Sequence, residues 1–518
     1  MKSVRKLKKL DVLFIHQGKA RDKGSNKILL LPMGLIAMAD YLERNGIKAR
    51  VVHNLIEKHI DPSFDIVSLI RGYQPRIICF DLHWHQQIST VLELVKYVKS
   101  KLPEATVVLG GYTASFFYKE LMAGFACINY IIRGDSELPL FELARNVLSG
   151  NDGNGLSAVP NLVYRQSGRL KVNKQSYCLS AQLLNRLNFT RFDLLDNYKI
   201  YNSSNVFEGE ISVEKSNGFN KNGGIFFYNC GRGCPYNCSI CGGSRKSQKI
   251  ISNRTQIVYA PVASVVRNLK SLEKYNINTW YNTFDPYKNK AYFIELFKQI
   301  KRNKIKLNLQ FECLNIPSEE FILAVQDTFS RVRLDFILQT GSERLRKLNK
   351  GNFYTNSQLF KVLRRLQNTK INVDLCFVAG LSFEEKEDVF KTLEFINLVK
   401  NSFRRIHIVS EVLEMEPASP WHLDSKKYGI INYRKTFADF LEQHKKPSDL
   451  GYRTKKFTIR QIRLIKKYYN VEANCIHERS GYLDRLTKRS SPARFSLDTL
   501  YKLCRGCKRY KLCFKGQV

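Results

Sequence analysis

The sequence predicts an α/β protein with an N-terminal doubly wound parallel sheet, a partial (β/α) barrel and a small basic C-terminal domain. Three observations lead there. Short β-branched runs alternate with amphipathic helical stretches from Asp11 to about Gly150, and the same alternation resumes at Gly224 with a second set of strands. The 518-residue length also exceeds what one hydrophobic core usually organises. The expected divisions are 1–150 for the first sheet, 151–222 for a hairpin and linker, 223–430 for the barrel, and 431–518 for a helical, basic, cysteine-containing region.

In the first unit the strands are DVLFIH, KARVVH, PRIICFDL, TVVLGG and INYIIRG. The helices between them are GLIAMADYLERNG, SFDIVSLIRGY, ISTVLELVKYVKSKL, ASFFYKELMAG and ELPLFELARNVLSG. Such a sheet takes ligands at the carboxyl ends of its strands. The loops to inspect are therefore His16-Gln17-Gly18, His83-Trp84-His85, Gly110-Gly111-Tyr112-Thr113 and Gly134-Asp135. NLVYR and LKVNK around Ser167-Gly168 read as a hairpin, and about 175–222 as a linker. The second unit offers GIFFYN, NTWYNTF, LNLQFEC, RLDFILQ, NVDLCFVAG and RRIHIVSEVL, with helices such as YFIELFKQIKRN and EEKEDVFKTLEFINLV between them. Six parallel strands with intervening helices suit an open barrel, whose active site lies at the strand C-terminal ends.

Apolar content of 44% is ordinary for a globular protein. No apolar run reaches the roughly 18 residues of a membrane span, and the basic start MKSVRKLKKL leads only into a strand-length segment. The expectation is a cytosolic protein without a signal peptide. The balance of 84 Lys plus Arg against 46 Asp plus Glu leaves a charge of +38, which favours polyanions. Nucleic-acid binding would sit most naturally in RTKKFTIRQIRLIKKYY and KLCRGCKRYKLCFKG, but the basic residues are spread along the whole chain, as a general compositional bias would spread them.

Seven of the 13 cysteines fall in two clusters, which points to metal or redox chemistry. Cys234-Pro-Tyr-Asn-Cys238-Ser-Ile-Cys241 follows the strand GIFFYN at once. Thiolates spaced C-x3-C-x2-C can wrap one face of a [4Fe–4S] cubane and leave one iron open. A structural zinc site would use paired C-x2-C knuckles, and no second knuckle lies nearby. Cys230, at the strand end, is an alternative ligand or a buried thiol.

The triplet, its position and the later strands resemble the radical S-adenosylmethionine (SAM) superfamily. The first unit makes the chain similar to the subgroup with an N-terminal cobalamin (B12)-binding domain, which includes the anaerobic magnesium-protoporphyrin cyclase and cobalamin-dependent methyltransferases. The resemblance covers about residues 11–430. It implies that SAM chelates the open iron through its amino and carboxylate groups and, on reduction, yields a 5′-deoxyadenosyl radical. A reductant protein of the flavodoxin or ferredoxin type is then implied, together with an unknown small-molecule or peptide substrate. Gly242 and Gly243 continue the cluster loop as in that subgroup. Gln339-Thr340-Gly341-Ser342-Glu343 resembles the segment that approaches the SAM ribose and carboxylate. Asp285 and Glu312, at strand ends, are placed to meet SAM or substrate, with a helix cap or surface carboxylate as the alternative. Gly380-Leu381-Ser382-Phe383-Glu384 resembles a Gly-Leu-Pro-Gly-Glu turn near adenine, with Ser and Phe replacing Pro and Gly. Ile240 stands where the family usually has an aromatic.

Gly110-Gly111-Tyr112-Thr113-Ala114-Ser115 and Arg133-Gly134-Asp135-Ser136-Glu137 resemble the turns over which that subgroup threads the nucleotide tail of cobalamin. Glycines there let the tail lie on the backbone, and Thr113 can bond its phosphate. The D-x-H-x-x-G signature for a cobalt-ligating histidine is absent, since Phe14 occupies its Asp position. His83 and His85 are the substitute candidates. No G-x-G-x-x-G opens the first helix, which argues against a dinucleotide.

The second cysteine cluster, Cys504, Cys507 and Cys513, has spacing C-x2-C-x5-C, and Cys475 could complete four ligands. It resembles part of an auxiliary-cluster segment, and a second Fe–S cluster and zinc both remain open. The functional expectation is a cobalamin-dependent radical SAM enzyme, most readily a methyltransferase at an unactivated carbon, with cyclisation or rearrangement as the alternative outcome. A basic metal-binding protein that docks on RNA is the competing class.

Overall fold

Runs such as Val12–His16, buried at every position, have no solvent face and so suit the middle of a parallel sheet. The computed structural model describes residues 8–18, 31–150, 155–202, 224–285, 290–445 and 449–474. Its first sheet contains β1 (Val12–His16), β2 (Ala49–His53), β3 (Ile77–Asp81), β4 (Thr106–Gly110), β5 (Tyr130–Ile132), β6 (Leu162–Gln166) and β7 (Arg169–Val172), in the order β2-β1-β3-β4-β5-β6-β7. β1 to β5 are parallel, while β6 and β7 add on as an antiparallel hairpin. The hairpin expected beyond the first unit thus extends its sheet. The strand order turns back between β1 and β3, which is where an open α/β sheet presents a ligand crevice.

The helices follow the apolar periodicity: Met33–Arg44, Ile66–Tyr73, Ile88–Lys101 and Glu137–Leu148. Asp65 caps the second by accepting the N–H groups of Val67 and Ser68. One expected helix, ASFFYKELMAG, is broken at Phe117 into Tyr112–Phe116 and Tyr118–Gly124. Ser115 explains part of the break, because its hydroxyl donates to the Gly111 carbonyl and accepts the Gly134 N–H.

The second sheet holds β8 (Gly224–Phe227), β11 (Ile277–Asn282), β12 (Asn308–Cys313), β13 (Val332–Gln339), β14 (Asn372–Ala379) and β15 (Ile406–Val412). A two-residue ribbon, β9 (Gly231–Arg232) with β10 (Val258–Tyr259), lies between the first two of these in sequence. The six-strand order is β15-β14-β13-β12-β11-β8, all parallel, as expected of a partial barrel. Leu334, Phe336 and Leu338 are fully buried on the face of β13 opposite that of Arg333 and Asp335, so the polar residues fall on the inner face. A small antiparallel pair, β16 (Ile430–Asn432) and β17 (Tyr452–Thr454), follows. Helix Ile459–Asn474 packs on β14, β15 and helix Lys386–Ser402. The proposed second metal set of Cys475, Cys504, Cys507 and Cys513 lies outside the described residues. Among the described residues no helix is long and apolar enough to cross a membrane.

Candidate functional site

The cysteine loop leaves β8 and turns at the barrel mouth. Its backbone is tied at each step: the Cys241 N–H reaches the Cys238 carbonyl at 3.3 Å, Ser244 N–H the Cys241 carbonyl at 3.2 Å, and Arg245 N–H the Tyr236 carbonyl at 2.8 Å. Ser244 then caps helix Arg245–Ser252. Ser239 pins the middle of the loop, donating its hydroxyl to Asn349 at 2.9 Å and accepting the Trp421 indole N–H at 3.1 Å. Two backbone donors meet sulfur: Gly243 N–H at 3.3 Å from the Cys241 Sγ, and Gly351 N–H at 3.2 Å from the Cys238 Sγ. Gly351 comes from the end of helix Glu343–Asn349, and a Cβ there would lie 2.8 Å from the Cys238 nitrogen. Only glycine permits that approach.

Cys234, Cys238 and Cys241 are half-buried and influence one another electrostatically. Burial, with Cys238 beside it, pushes the Cys234 thiol up to about 11. Burial and then the Glu416 carboxylate raise Cys241 as well. Crowded thiols of this kind ionise together only when a positive centre takes them as ligands. Among the described residues no three His, Cys, Asp or Glu side chains converge as ligands of one metal ion. Three mutually interacting thiols on one short loop suit a polynuclear cluster, in which each sulfur binds a different iron. Cys230 stands apart, fully buried beneath Tyr292 with its thiol raised by burial.

The segments expected to meet SAM divide into two kinds. Gln339 ends β13 with φ of 70°, is 3% exposed, and leaves its Oε1 without a hydrogen-bond partner. A buried amide oxygen in left-handed backbone is a costly arrangement that a ligand donor at the mouth would relieve. Asp285 is half-buried, accepts the Asn315 N–H at 3.0 Å, and is pushed up to about 6 by desolvation. Gly242 gives its N–H to Glu416 at 2.5 Å. The remaining residues build the turn itself. Gly341 faces helix Lys386–Ser402, where a Cβ would lie 2.6 Å from the Phe395 Cβ. Ser342 caps helix Glu343–Asn349 and donates to Asp388 at 2.6 Å, and Glu343 accepts the Asn356 N–H at 2.6 Å. Glu312 points into the barrel, where it accepts the Tyr281 hydroxyl at 2.6 Å. The Gly380–Glu384 turn folds around Glu384, which accepts the Gly380 N–H at 2.7 Å beneath helix Ile459–Asn474. Phe383 adopts φ of 59° where the resembling turn has glycine.

The carboxyl ends of the first sheet face this mouth. Gly111, at φ 102°, passes so close to β3 that a Cβ would lie 2.7 Å from the Leu82 carbonyl oxygen. Gly110 has more room, its nearest neighbour being the Ser136 hydroxyl. Gly134 abuts Ser252 of the helix that follows the cysteine loop, 2.9 Å from a Cβ to its Cα. The Thr113 hydroxyl donates to the His83 carbonyl at 2.9 Å. Asp135 is committed to Arg232 at 2.7 Å, to Arg254 and to the Leu179 N–H at 2.8 Å, and Glu137 takes the other arm of Arg232 at 2.5 Å. These turns therefore dock one sheet on the other, while Gly110 borders the crevice. His83 stacks on Tyr112 with centroids 4.9 Å apart. His85 is buried against Phe440, its Nδ1 2.8 Å from Gln443.

His16, in a loop marked for inspection from the sequence, ends β1 at the crevice, 2.7 Å from Asp81 at the end of β3. Sequence reasoning overlooked Asp81 and two residues at the barrel mouth. Lys350 is buried beside Cys238, Asp285 and Cys234, donates to the Ile337 carbonyl at 2.8 Å, and is lowered to about 8 by burial. Glu416 bears on both Gly242 and Cys241. An adjacent lysine and glycine eleven residues after the β13 strand's Gln339, and a glutamate followed by a proline after the last barrel strand, were the available signals.

Known families coincide with both units. The B12 binding domain matches residues 28–144, and the Radical SAM superfamily matches residues 228–396. Fold and loop thus define a radical SAM enzyme with an N-terminal B12-binding domain. The chain is similar over 109 residues, at 32% identity, to the hopanoid C-3 methylase of Methylococcus capsulatus, a match spanning 21% of this chain and 20% of that protein. It is 23% identical over 370 residues to an uncharacterised methyltransferase of Pyrococcus horikoshii, covering 70% of this chain and 72% of that one. Among solved structures, the radical SAM methyltransferase TsrM of Kitasatospora setae, with cobalamin and a [4Fe–4S] cluster bound, superposes with a TM-score of 0.62 at 17% identity, covering 84% of this chain and 85% of that chain. The cobalamin-dependent SAM radical enzyme OxsB gives 0.60 at 13% identity, covering 98% and 72%.

Proposed function

We propose that the chain is a cobalamin-dependent radical SAM methyltransferase that modifies an unactivated carbon of a small molecule. The carrying observation is the cysteine loop itself, three thiols at the mouth of a parallel barrel, joined through Arg232 and Asp135 to the strand ends of a B12-type sheet. Methyl transfer is favoured over cyclisation because the two curated relatives are a methylase and a methyltransferase by name, as is TsrM.

When bound, the cluster delivers an electron to the SAM sulfonium and cobalamin carries a methyl group. Cys234, Cys238 and Cys241 are the cluster ligands, and the N–H groups of Gly243 and Gly351 bond two of their sulfurs. Gln339 presents an acceptor to SAM, and Asp285 and Glu416 border the same mouth. Gly110, His83 and His16 line the crevice assigned to cobalamin, and Gly111, Gly134 and Asp135 hold its floor against the barrel. The electron comes from a flavodoxin or ferredoxin type protein.

Anaerobic reconstitution with iron, sulfide and hydroxocobalamin tests this reading. Retention of cobalt with about four irons per chain, and reductant-dependent breakdown of SAM with transfer of its labelled methyl group, is the expected result. Iron binding without any breakdown of SAM overturns it.

A further inference from the structure

Four adjacent barrel strands carry titratable side chains at one level of the inner face. Glu312 on β12 is in register with Asp335 on β13, Asp335 with Asp374 on β14, and Asp374 with His407 on β15. Neighbouring strands lie about 4.8 Å apart, so three carboxylates form a row across the lumen. The row lies four residues below Gln339 along β13, well inside the mouth.

Its cations are unevenly placed. Arg333 approaches Asp374 at 3.7 Å and His407 approaches it at 3.4 Å. Lys350, on the mouth side, is bonded to the Ile337 carbonyl. Glu312 has the Tyr281 hydroxyl and Asp335 has the Gln310 amide N–H at 2.8 Å. That leaves Asp335 Oδ1 and Gln310 Oε1 as buried acceptors with no donor, on side chains only 5% and 3% exposed. In the ligand-free chain the two atoms can share the proton of a neutral Asp335, and a group that brings several N–H donors and positive charge can take that proton's place. Burial, then Asp374, holds the Asp335 carboxyl far above the usual range, and burial raises Glu312 too. The row does not converge as a metal site. On the same face, Ile225, Phe227 and Tyr281 form an apolar cluster separate from the main core.

We propose that Asp335, Glu312 and Gln310 form a subsite that seats the ammonium group of the methyl acceptor, whose apolar part lies against Phe227 and Tyr281. The acceptor class is an amphiphilic primary amine, and this assignment rests on the methyltransferase reading above. With the amine bound, two N–H donors meet Asp335 Oδ1 and Gln310 Oε1, and the positive charge lets the Asp335–Glu312 half of the row ionise.

Calorimetric titration of the reconstituted full chain with butylamine, phenethylamine and agmatine, against 1-butanol and 2-phenylethanol, tests the subsite. At least one amine should bind, and its neutral counterpart should bind about 10-fold or more weakly. Asp335→Asn should weaken the amine to the same degree while the ligand-free variant melts no lower than the parent, since a neutral amide replaces a buried acid. Equal affinity for amine and alcohol, no binding by any amine, or unchanged amine affinity in Asp335→Asn each overturns the proposal. SAM breakdown, followed in the same samples, separates the two readings. Amine binding without SAM breakdown removes the methyltransferase reading alone, whereas SAM breakdown without amine binding removes the subsite alone.

Discussion

The cysteine loop after β8 and the glycine turns after β4 and β5 are built from similar material, small residues following a parallel strand, yet they do different work. In the cysteine loop the backbone bonds to itself and to Asn349, so the thiols are not used in holding it, and donors from Gly243 and Gly351 turn toward sulfur. In the turns of the first sheet the special residues face protein. Gly111 passes under Leu82, Gly134 under Ser252, Thr113 bonds His83, and Asp135 is occupied by two arginines. The contrast teaches that glycine after a strand marks close approach without saying what approaches. On the function proposed above the approach at the barrel mouth serves ligand chemistry, whereas in the first sheet it serves docking of the two halves.

The sharpest way to break this contrast is to remove one thiol. Cys238→Ala should abolish iron retention and SAM breakdown while largely keeping the melting transition, because the N–H to carbonyl bonds that hold the loop remain and only the Gly351 N–H contact to sulfur is lost; iron analysis and calorimetry read both. Next in size is Asp135→Ala, which leaves Arg232 and Arg254 without their shared carboxylate. A loss of about 3–5 kcal/mol in denaturant unfolding is expected, with Asp135→Glu recovering part of it. A docking role predicts that loss without any ligand present, and stability unchanged in cofactor-free Asp135→Ala would instead return Asp135 to cobalamin binding. Gly351→Ala should cost about 1–3 kcal/mol by pushing helix Glu343–Asn349 away from the loop, and should lower iron occupancy. A pH effect at Glu384, which burial pushes up from 4.5 to about 8, completes the set. The folded chain holds this proton more tightly than the unfolded one. Its contribution is therefore complete below about pH 4.5 and is lost as pH rises through about 8. Glu384→Gln should flatten that decline in melting temperature.

Most of the fold was legible because a β-branched run followed by an amphipathic helix has few alternatives; the thirteen strands expected across the two units and the hairpin are joined among the described residues by two short two-stranded ribbons. The break at Phe117 was not legible, since it depends on the hydroxyl of Ser115 reaching Gly134. The cysteine triplet could be read because its ligands are contiguous. Lys350, Gly351 and Glu416 could not, because they reach the loop from helix and strand ends more than a hundred residues away. Asp335 and Asp374 did leave a trace, each a lone acid inside an otherwise apolar strand, RLDFILQ and NVDLCFVAG. A charge at an inward position of a barrel strand was the signal, and its meaning depended on knowing which acids share a level.

The central claim is that three cysteines hold a cluster with one iron free for SAM. Its most direct test is electron paramagnetic resonance of the anaerobically reconstituted, reduced full chain before and after addition of SAM. The account predicts a [4Fe–4S]+ signal whose g values shift when SAM binds, and no such signal in Cys238→Ala. A signal that SAM leaves unchanged, or one that survives loss of Cys238, would contradict it.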